Sequence, residues 1–167
     1  EEAHPGFYKV KLGNSGIIAQ LSATLRTGIH QYTFPKGNRQ RIYLDIDHSA
    51  PKGSWNRRII QSQIHIINPT TIEGWRIITG WAKLRRVYFH IELSKPITSH
   101  ILIDGGRQEM NATLINGSEL KAFFDFDHQD DSPITCKVSL SNTSIENARD
   151  NMRTEANSWD FEHYKNE

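Results

Sequence analysis

An Asp-x-Asp-His sequence occurs twice in this chain, at residues 45–48 and 125–128. Residues i and i+2 of a β-strand point to the same side, so each pair of carboxylates could bind a hard cation. The four candidate metal ligands are Asp45, Asp47, Asp125 and Asp127. Calcium takes about six to eight oxygen ligands, usually from a loop, so two aspartates beside an imidazole are an incomplete site. The simpler interpretation is that both motifs are polar ends of strands that run into turns.

Paired carboxylates can also hydrolyse glycosidic bonds, with one acting as acid and the other as base or nucleophile. That chemistry needs two environments that push the two pKa values apart. Asp45 and Asp47 lie two residues apart at the end of one predicted strand, where both are expected to be equally exposed and equally ionised. A structural role is therefore the simpler interpretation of this pair of carboxylates.

The histidines, serines and the cysteine give no better candidate for a catalytic or metal-binding residue. Four histidines, His30, His65, His90 and His100, lie singly in strand patterns, where a structural role is the usual one. No Gly-x-Ser-x-Gly motif occurs, which disfavours a serine hydrolase. Cys136 is the only cysteine and lies in an apolar alternating run, which predicts a buried, unreactive thiol and excludes an intrachain disulfide.

Three tryptophans lie in or beside turns that contain glycine: Trp55, Trp75 and Trp81. Exposed indole rings can stack on sugar rings, so these residues are the candidates for substrate binding. Large aromatic side chains also pack the core and the rim of sandwich domains, which is the alternative interpretation.

Composition restricts the partners. The 167 residues carry 20 Lys and Arg against 19 Asp and Glu, a formal net charge of +1, so no strong overall field attracts nucleic acid. The apolar runs are far shorter than the roughly 20 residues that cross a bilayer, so no membrane span is predicted. One folded domain is expected at this length.

The elements that must position these residues are short strands. Runs of β-branched and aromatic residues alternate with polar residues and are separated by Gly, Pro, Asn and Asp. The predicted strands are 7–12, 17–25, 30–34, 41–46, 59–67, 71–79, 85–93, 100–103, 120–126 and 134–140. Because no crossover helices separate them, we predict an all-β fold, an antiparallel β-sandwich over residues 1–142.

The pattern changes at the C-terminal segment, residues 143–167. Thr143 and Glu146 match a capping box, which predicts that a helix starts at this point. Ile145, Ala148 and Met152 then recur at helical spacing. An ion pair between Glu146 and Arg149 is expected on the outer face of the helix.

Three aromatic residues follow this helix among polar neighbours: Trp159, Phe161 and Tyr164. Large apolar side chains in such a setting favour a surface that lies outside this chain. We therefore interpret residues 143–167 as a helical linker toward a neighbouring domain. The face that carries the helix and Trp159 is expected to meet that neighbour.

Several ordered motifs resemble one known family. They are Gly28-Ile-His30-Gln-Tyr32-Thr33-Phe34-Pro35, Leu44-Asp45-Ile-Asp-His48, Gly80-Trp81, Val87-Tyr88-Phe89, Ser94-Lys95-Pro96, Ser139-Leu-Ser141 and Trp159-Asp160-Phe161. Together with Ser144, Ala148, Asn151 and Glu155 they resemble the N-terminal domain of glycoside hydrolase family 92, over nearly the whole chain. One departure is Asp47, where the family commonly has glycine.

The resemblance implies a two-domain α-mannosidase, chiefly α-1,2-acting. A galactose-mutarotase-like β-supersandwich precedes an (α/α)6 catalytic domain, which removes mannose from glycans with inversion and requires calcium. By the same resemblance, residues 1–142 are expected to be part of a larger N-terminal domain, whose preceding segment carries sugar-contacting residues near the domain interface. The general acid, the general base and most calcium ligands lie in that second domain, so none is assigned to a residue of this chain. The resemblance also implies a secreted protein, periplasmic or extracellular.

Three hypotheses follow. In the first, this chain is the excised non-catalytic sandwich of such a mannosidase, inert alone, and its partner is the C-terminal catalytic domain of the same polypeptide. In the second, it is a stand-alone carbohydrate-binding or adhesion module, which binds sugar without hydrolysis. The third is a purely structural sandwich in an unrelated assembly, which fold class alone does not exclude.

Overall fold

The computed structural model describes residues 1–48, 58–80 and 82–165. The strands are β1 (Glu2–His4), β2 (Phe7–Lys11), β3 (Ile18–Ala23), β4 (Thr27–Thr33), β5 (Arg41–Asp45), β6 (Ile59–Asn68), β7 (Thr71–Ile78), β8 (Arg85–Leu93), β9 (Ser99–Asp104), β10 (Arg107–Glu109), β11 (Leu114–Gly117), β12 (Leu120–Asp125) and β13 (Ile134–Ser141). The helices are α1 (Ile145–Glu155) and α2 (Phe161–Lys165).

The strands form two antiparallel sheets. The large sheet has nine strands in the order β1-β2-β3-β4-β13-β8-β7-β6-β11, and the small sheet has four in the order β10-β9-β12-β5. The predicted all-β antiparallel sandwich followed by a C-terminal helix is confirmed. The ten predicted strands are all present.

Three further strands, β1, β10 and β11, were not predicted because each has only three or four residues. Such short segments hold too few residues to display a period of two. Strand β4 also begins three residues earlier than predicted. Its first residue, Thr27, pairs with Ser139 of β13.

The main core lies between the two sheets and contains the apolar side chains that alternate with polar ones along each strand. On β12 the inward side chains of Leu120, Ala122 and Phe124 are almost fully buried. They pack with inward residues of the large sheet, among them Ile64 and Ile72. Because cross-strand partners share a face, the register places one side of β4, β13, β8, β7 and β6 in this core and the other side away from it.

The helices pack on that opposite side of the large sheet and form a second core. Its buried residues are Phe7, Ile29, Met152, Ala156, Phe161 and Tyr164. Helix α1 is amphipathic as predicted, with Ala148 and Met152 buried. The helical segment therefore forms a third layer over part of the large sheet.

The predicted cap of α1 was wrong by one residue. Ser144, with an extended backbone (φ −160°, ψ 169°), is the N-cap, and its hydroxyl accepts a hydrogen bond from the Asn147 backbone N–H. The Thr143 hydroxyl instead lies 2.8 Å from the Ser141 hydroxyl. Both residues are good capping types, so local sequence did not decide between them.

The expectation that the C-terminal aromatic residues lack a surface within this chain was wrong for two of them. Phe161 and Tyr164 are only 3% and 4% exposed. The Ser22 hydroxyl on β3 shares its hydrogen bond between the Gly6 carbonyl, at 2.8 Å, and the Tyr164 carbonyl, at 3.0 Å, which links α2 to the sheet. Trp159, in contrast, is 44% exposed. Among the described residues, neither helix has the length and apolar character to span a membrane.

Candidate functional site

The structure keeps the two Asp-x-Asp-His motifs apart. Strands β5 and β12 are antiparallel neighbours, with Asp45 opposite Lys121 and Asp125 opposite Arg41. The first motif therefore follows one end of this strand pair and the second motif follows the other end. The two motifs do not combine into one site.

Asp125 is fully engaged by cations. Arg39 and Arg41 each donate two hydrogen bonds to its carboxylate, over 2.9 Å and 2.7 Å respectively, and the Ser99 hydroxyl donates a further one over 3.1 Å. The hydrogen bonds from Arg41 are the largest influence, and together with those from Arg39 they hold the pKa of Asp125 well below its usual range. The oxygens of this buried carboxylate are occupied by protein donors.

The other three candidate ligands stabilise turns or form surface pairs. Asp45 accepts hydrogen bonds from the backbone N–H groups of Asp47 and His48, over 3.0 Å and 2.8 Å. The Asp47 carboxylate lies 3.7 Å from the Lys121 ammonium, and Asp127 accepts from the Gln129 backbone N–H. Within 1–48, 58–80 and 82–165, no three or more His, Cys, Asp or Glu side chains group to hold a metal ion.

Of the candidate sugar-binding tryptophans, the described residues include Trp75 alone. It is half-buried on β7, paired with Gln63 of β6 and Tyr88 of β8. It shares a sheet face with Glu73, which is the face away from the main core. Trp55 and Trp81 lie outside the described residues.

Beneath helix α1, this same face carries a buried charged cluster that the sequence did not reveal. The Glu73 carboxylate, 4% exposed, accepts hydrogen bonds from Arg149 Nε and Nη2. His90 Nδ1 lies 2.8 Å from Glu73 Oε1. Burial alone would raise the pKa of Glu73, but the hydrogen bonds from Arg149 and His90 together outweigh it and lower the pKa.

The cluster continues toward the helix C-terminus. Lys137, with its side chain 3% exposed, donates a hydrogen bond to the Ala156 carbonyl over 2.9 Å. Its ammonium lies 3.5 Å from Glu92 Oε2 and 3.7 Å from the centre of the Trp159 ring. His90 Nε2 lies 3.3 Å from Glu92 Oε1, and hydrogen bonding to His90 lowers the pKa of Glu92. Burial lowers the pKa of Lys137.

Four residues of this cluster, all except Glu73, line a pocket of about 440 Å³ between α1 and the sheet. Its lining residues are His90, Glu92, Lys137, Arg149, Met152, Arg153, Ala156, Asn157 and Trp159. Both carboxylates of the cluster have a lowered pKa, so neither retains a proton for general acid catalysis near neutral pH. The arrangement suits a clamp that holds the helix on the sheet.

Two features of the cluster depart from sequence reasoning. Arg149 pairs with Glu73 on the sheet, whereas the i,i+3 rule placed it beside Glu146. Buried Glu73, His90 and Lys137 occupy strand positions that alternate with core residues. The sequence feature that could have predicted them is the presence of charged residues on the non-core side of three adjacent strands, β7, β8 and β13. Such a pattern indicates that a helix covers that side of the sheet.

Cys136 is buried on β13, as predicted, and burial raises the pKa of its thiol to about 12. An unionised thiol is a poor nucleophile. The absence of catalytic residues from this chain and the contact of the helix face with a neighbouring domain both stay predictions.

The fold defines this chain as an antiparallel β-sandwich domain with helices packed on its larger sheet. A sequence model of the glycosyl hydrolase family 92 N-terminal domain matches residues 1–141. The chain therefore belongs to glycosyl hydrolase family 92, and the resemblance seen in the sequence is confirmed.

Solved structures of the same family superpose on almost all of the chain. The family GH92 α-mannosidase BT3965 from Bacteroides thetaiotaomicron has a TM-score of 0.85 at 25% identity and covers 96% of this chain. The GH92 glycosyl hydrolase ccman5 has a TM-score of 0.86 at 25% identity over 99%. The inverting mannosidase BT2199 from Bacteroides thetaiotaomicron, at 22% identity, has a TM-score of 0.82. The comparison with curated proteins gives no match.

The match covers only a small part of each relative. This chain spans 22% of BT3965, 23% of ccman5 and 21% of BT2199. More than three-quarters of each relative therefore lies outside the matched region.

Proposed function

We propose that this chain is the non-catalytic N-terminal sandwich portion of a mannosidase that acts on mannose-containing glycans. The observation that carries the proposal is the family match over residues 1–141, together with superposition on α-mannosidase BT3965, of which this chain spans 22%. The catalytic domain of the same polypeptide is the proposed partner.

The pairing of the described carboxylates favours a structural role over a catalytic one. Asp125 is engaged by two arginines, and Glu73 is engaged by Arg149 and His90. An inverting glycosidase needs two carboxyl groups about 6.5–9.5 Å apart, one of them protonated, with room for a water between them. The buried carboxylates described above are instead ionised and paired.

The finer properties of the parent enzyme belong to the same proposal. We propose that it is an exo-α-1,2-mannosidase that works with inversion, requires calcium and is exported to the periplasm or the cell exterior. BT2199 is described as an inverting mannosidase, which supports inversion. The proposed calcium ligands lie mostly in the catalytic domain, as the family resemblance implies; among residues 1–48, 58–80 and 82–165, no three or more His, Cys, Asp or Glu side chains group together.

The test compares this chain with the full-length parent polypeptide. Both are assayed on an α-1,2-linked mannobiose, with calcium present and after chelation. We expect the full-length enzyme to release mannose only with calcium, and this chain to release none in either condition. Turnover by purified residues 1–167 would contradict the non-catalytic assignment, and an inactive parent would contradict the mannosidase assignment.

The alternative is a stand-alone sugar-binding module. It is favoured by the 44% exposure of Trp159, whose ring lies beside a pocket with polar groups. Calorimetric titration with mannose oligosaccharides separates the two functions. A saturable heat that disappears in Trp159→Ala would support the binding module, whereas the scaffold hypothesis expects no heat.

A further inference from the structure

A buried imidazole lies between two carboxylates beneath helix α1. His90 of β8 has a side chain that is only 8% exposed. Glu73 of β7 is its direct cross-strand partner, and Glu92 lies two residues further along β8. Because cross-strand partners and alternate residues of a strand share one face, both carboxylates reach the same ring. Nδ1 lies 2.8 Å from Glu73 Oε1, and Nε2 lies 3.3 Å from Glu92 Oε1.

These two contacts together require a charged ring. A neutral imidazole has one N–H donor and one bare nitrogen, so one of the two carboxylates would face a lone pair. Neither carboxyl group supplies the missing proton, since the pKa values of Glu73 and Glu92 are both lowered. The imidazolium of His90, in contrast, donates one hydrogen bond to each carboxylate.

The charged groups that face the ring come from β7, β8, β13 and α1: Glu73, Glu92, Lys137, Arg149 and Arg153. Arg153 pairs with Asp150 on the outer side of α1. The other four are two carboxylates and two cations, which cancel, so the direct contacts of the ring decide its charge. Burial opposes an added positive charge, but Glu92 is 36% exposed beside an open pocket. Two hydrogen bonds to ionised carboxylates favour that charge.

The same two carboxylates hold helix α1. Glu73 Oε1 accepts hydrogen bonds from both His90 Nδ1 and Arg149 Nε, in the middle of the helix. Lys137 joins Glu92 to the C-terminal end of the helix. His90 therefore connects two anchors of α1. Loss of its proton would turn one of its two attractive contacts into a repulsive one.

We propose that His90 is doubly protonated in the folded protein and links the two anchors, so that α1 is held more firmly in mildly acidic than in alkaline solution. The inference goes beyond the proposed function and does not depend on mannosidase activity. A histidine in the unfolded chain loses its proton at about pH 6.5. Above that pH the folded protein binds one proton more, so this contribution to stability is fully present at lower pH and is lost as the pH rises.

Nitrogen-15 NMR of the histidine rings tests the proton directly in the parent sequence. An imidazolium gives two ring-nitrogen resonances of similar shift, whereas a neutral ring gives two that lie far apart. At about pH 7.5, where a solvated histidine is about nine-tenths neutral, we expect the imidazolium pattern for His90. His128, an exposed residue, is the reference in the same sample. A neutral pattern for His90 would overturn the proposal.

Glu92→Gln tests the cause of the charge. It removes the negative charge beside Nε2 and leaves the Lys137 ammonium in place. The ratio of imidazolium to neutral ring at His90 should fall about tenfold or more. Glu119→Gln changes an exposed carboxylate just before β12 and should leave the His90 resonances unchanged. An unchanged ratio in Glu92→Gln would show that the two carboxylates do not hold the proton, and the proposal would fail.

A stability profile tests the consequence for the helix. Between pH 6 and pH 9, the unfolding equilibrium constant in urea should rise about tenfold more in the parent than in His90→Gln. His4→Gln, which changes an imidazole that is 44% exposed on β1, should follow the parent. The Ala148 amide of α1, corrected for its intrinsic exchange rate, should lose protection over the same interval in the parent only.

Parallel profiles of the parent and His90→Gln would refute the pH-dependent hold on α1, and so would an Ala148 amide whose protection in the parent does not change with pH. If His90→Gln does not fold, Glu92→Gln provides the same comparison, because its side chain is partly exposed. The ring spectra of the parent need no variant. All three measurements are made without substrate, so their outcome is independent of the mannosidase assay.

Discussion

The Arg149 guanidinium on α1 donates two hydrogen bonds to the Glu73 carboxylate on β7, across 76 residues of chain. Glu73 lies within the family match, which ends at residue 141, and Arg149 lies beyond it. The pair therefore joins the strands that define the family to the helix that follows them. Since Glu73 is buried, the pair is also where a single change should show its effect most clearly.

Replacing Arg149 with alanine should destabilise the chain by about 2–4 kcal/mol, because a buried carboxylate loses its main partner. Urea unfolding followed by circular dichroism measures the change. Arg153→Ala is the matched control, since Arg153 is 81% exposed and pairs with Asp150 on the same helix. We expect the control to cost less than about 0.5 kcal/mol. Equal losses in the two variants would refute a buried role for Glu73.

Stability should depend on the ionisation of Asp125. Its pKa is depressed in the folded state below the ordinary value of 3.8, chiefly by Arg41. Ionised Asp125 therefore contributes stability that is fully present above that ordinary value and is lost as the pH falls toward the depressed folded value. Unfolding free energies measured between pH 7 and pH 2 should fall less steeply below pH 4 in Asp125→Asn than in the parent sequence.

The matched control for this pH dependence is Asp150→Asn, which changes a carboxylate that is 58% exposed on α1. Its stability profile should keep the slope of the parent sequence. An Asp125→Asn profile that runs parallel to the parent profile would show that the arginine pairs do not contribute to acid stability.

Helix α2 should be required for the stability of the second core. Phe161→Ala removes a buried ring that lies 6.3 Å from the ring of Phe7, and it should cost about 3–5 kcal/mol. Leu25→Ala, at 84% exposure, should cost well under 1 kcal/mol. Guanidinium unfolding measures both. A Phe161→Ala loss as small as that of Leu25→Ala would mean that α2 does not pack on the sheet in solution.

Cys136 should resist thiol reagents in the native state. Its thiol is buried and its pKa is raised to about 12, so little thiolate forms at pH 8. Labelling with a chromogenic disulfide should be slow in buffer and complete within minutes in denaturant. Stoichiometric labelling in buffer at the rate of a free thiol would contradict this burial.

Alternation within single strands is what made the sandwich predictable. Residues 41–46 and 85–93 display a clear period of two, and both form strands close to the predicted bounds. Segments such as Arg107–Glu109 are too short to show a period, and only their neighbours in the sheet make them strands. Local patterns thus located the long elements and missed the short edges.

The charged cluster was beyond local reasoning for a related reason. The spacing of Glu146 and Arg149 predicted an ion pair on the helix surface. In the structure, the Arg149 guanidinium instead forms its ion pair with the buried Glu73 carboxylate. A desolvated carboxylate gains more from a cation than an exposed one does. Local sequence patterns do not show which helix face packs on which strand. The burial of Phe161 and Tyr164 was not predicted for the same reason.

The packing of Phe161 and Tyr164 against Phe7 has a practical meaning for how this protein is handled. The match to the family sequence model ends at residue 141, yet cooperative unfolding should involve everything through Lys165, since those rings share one apolar cluster with Phe7 of β2. A protein expressed only to residue 141 would lack both helices, which would expose the buried side chain of Ile29 to solvent and favour aggregation. The range matched by the family sequence model and the cooperative unit of this polypeptide therefore have different C-terminal limits.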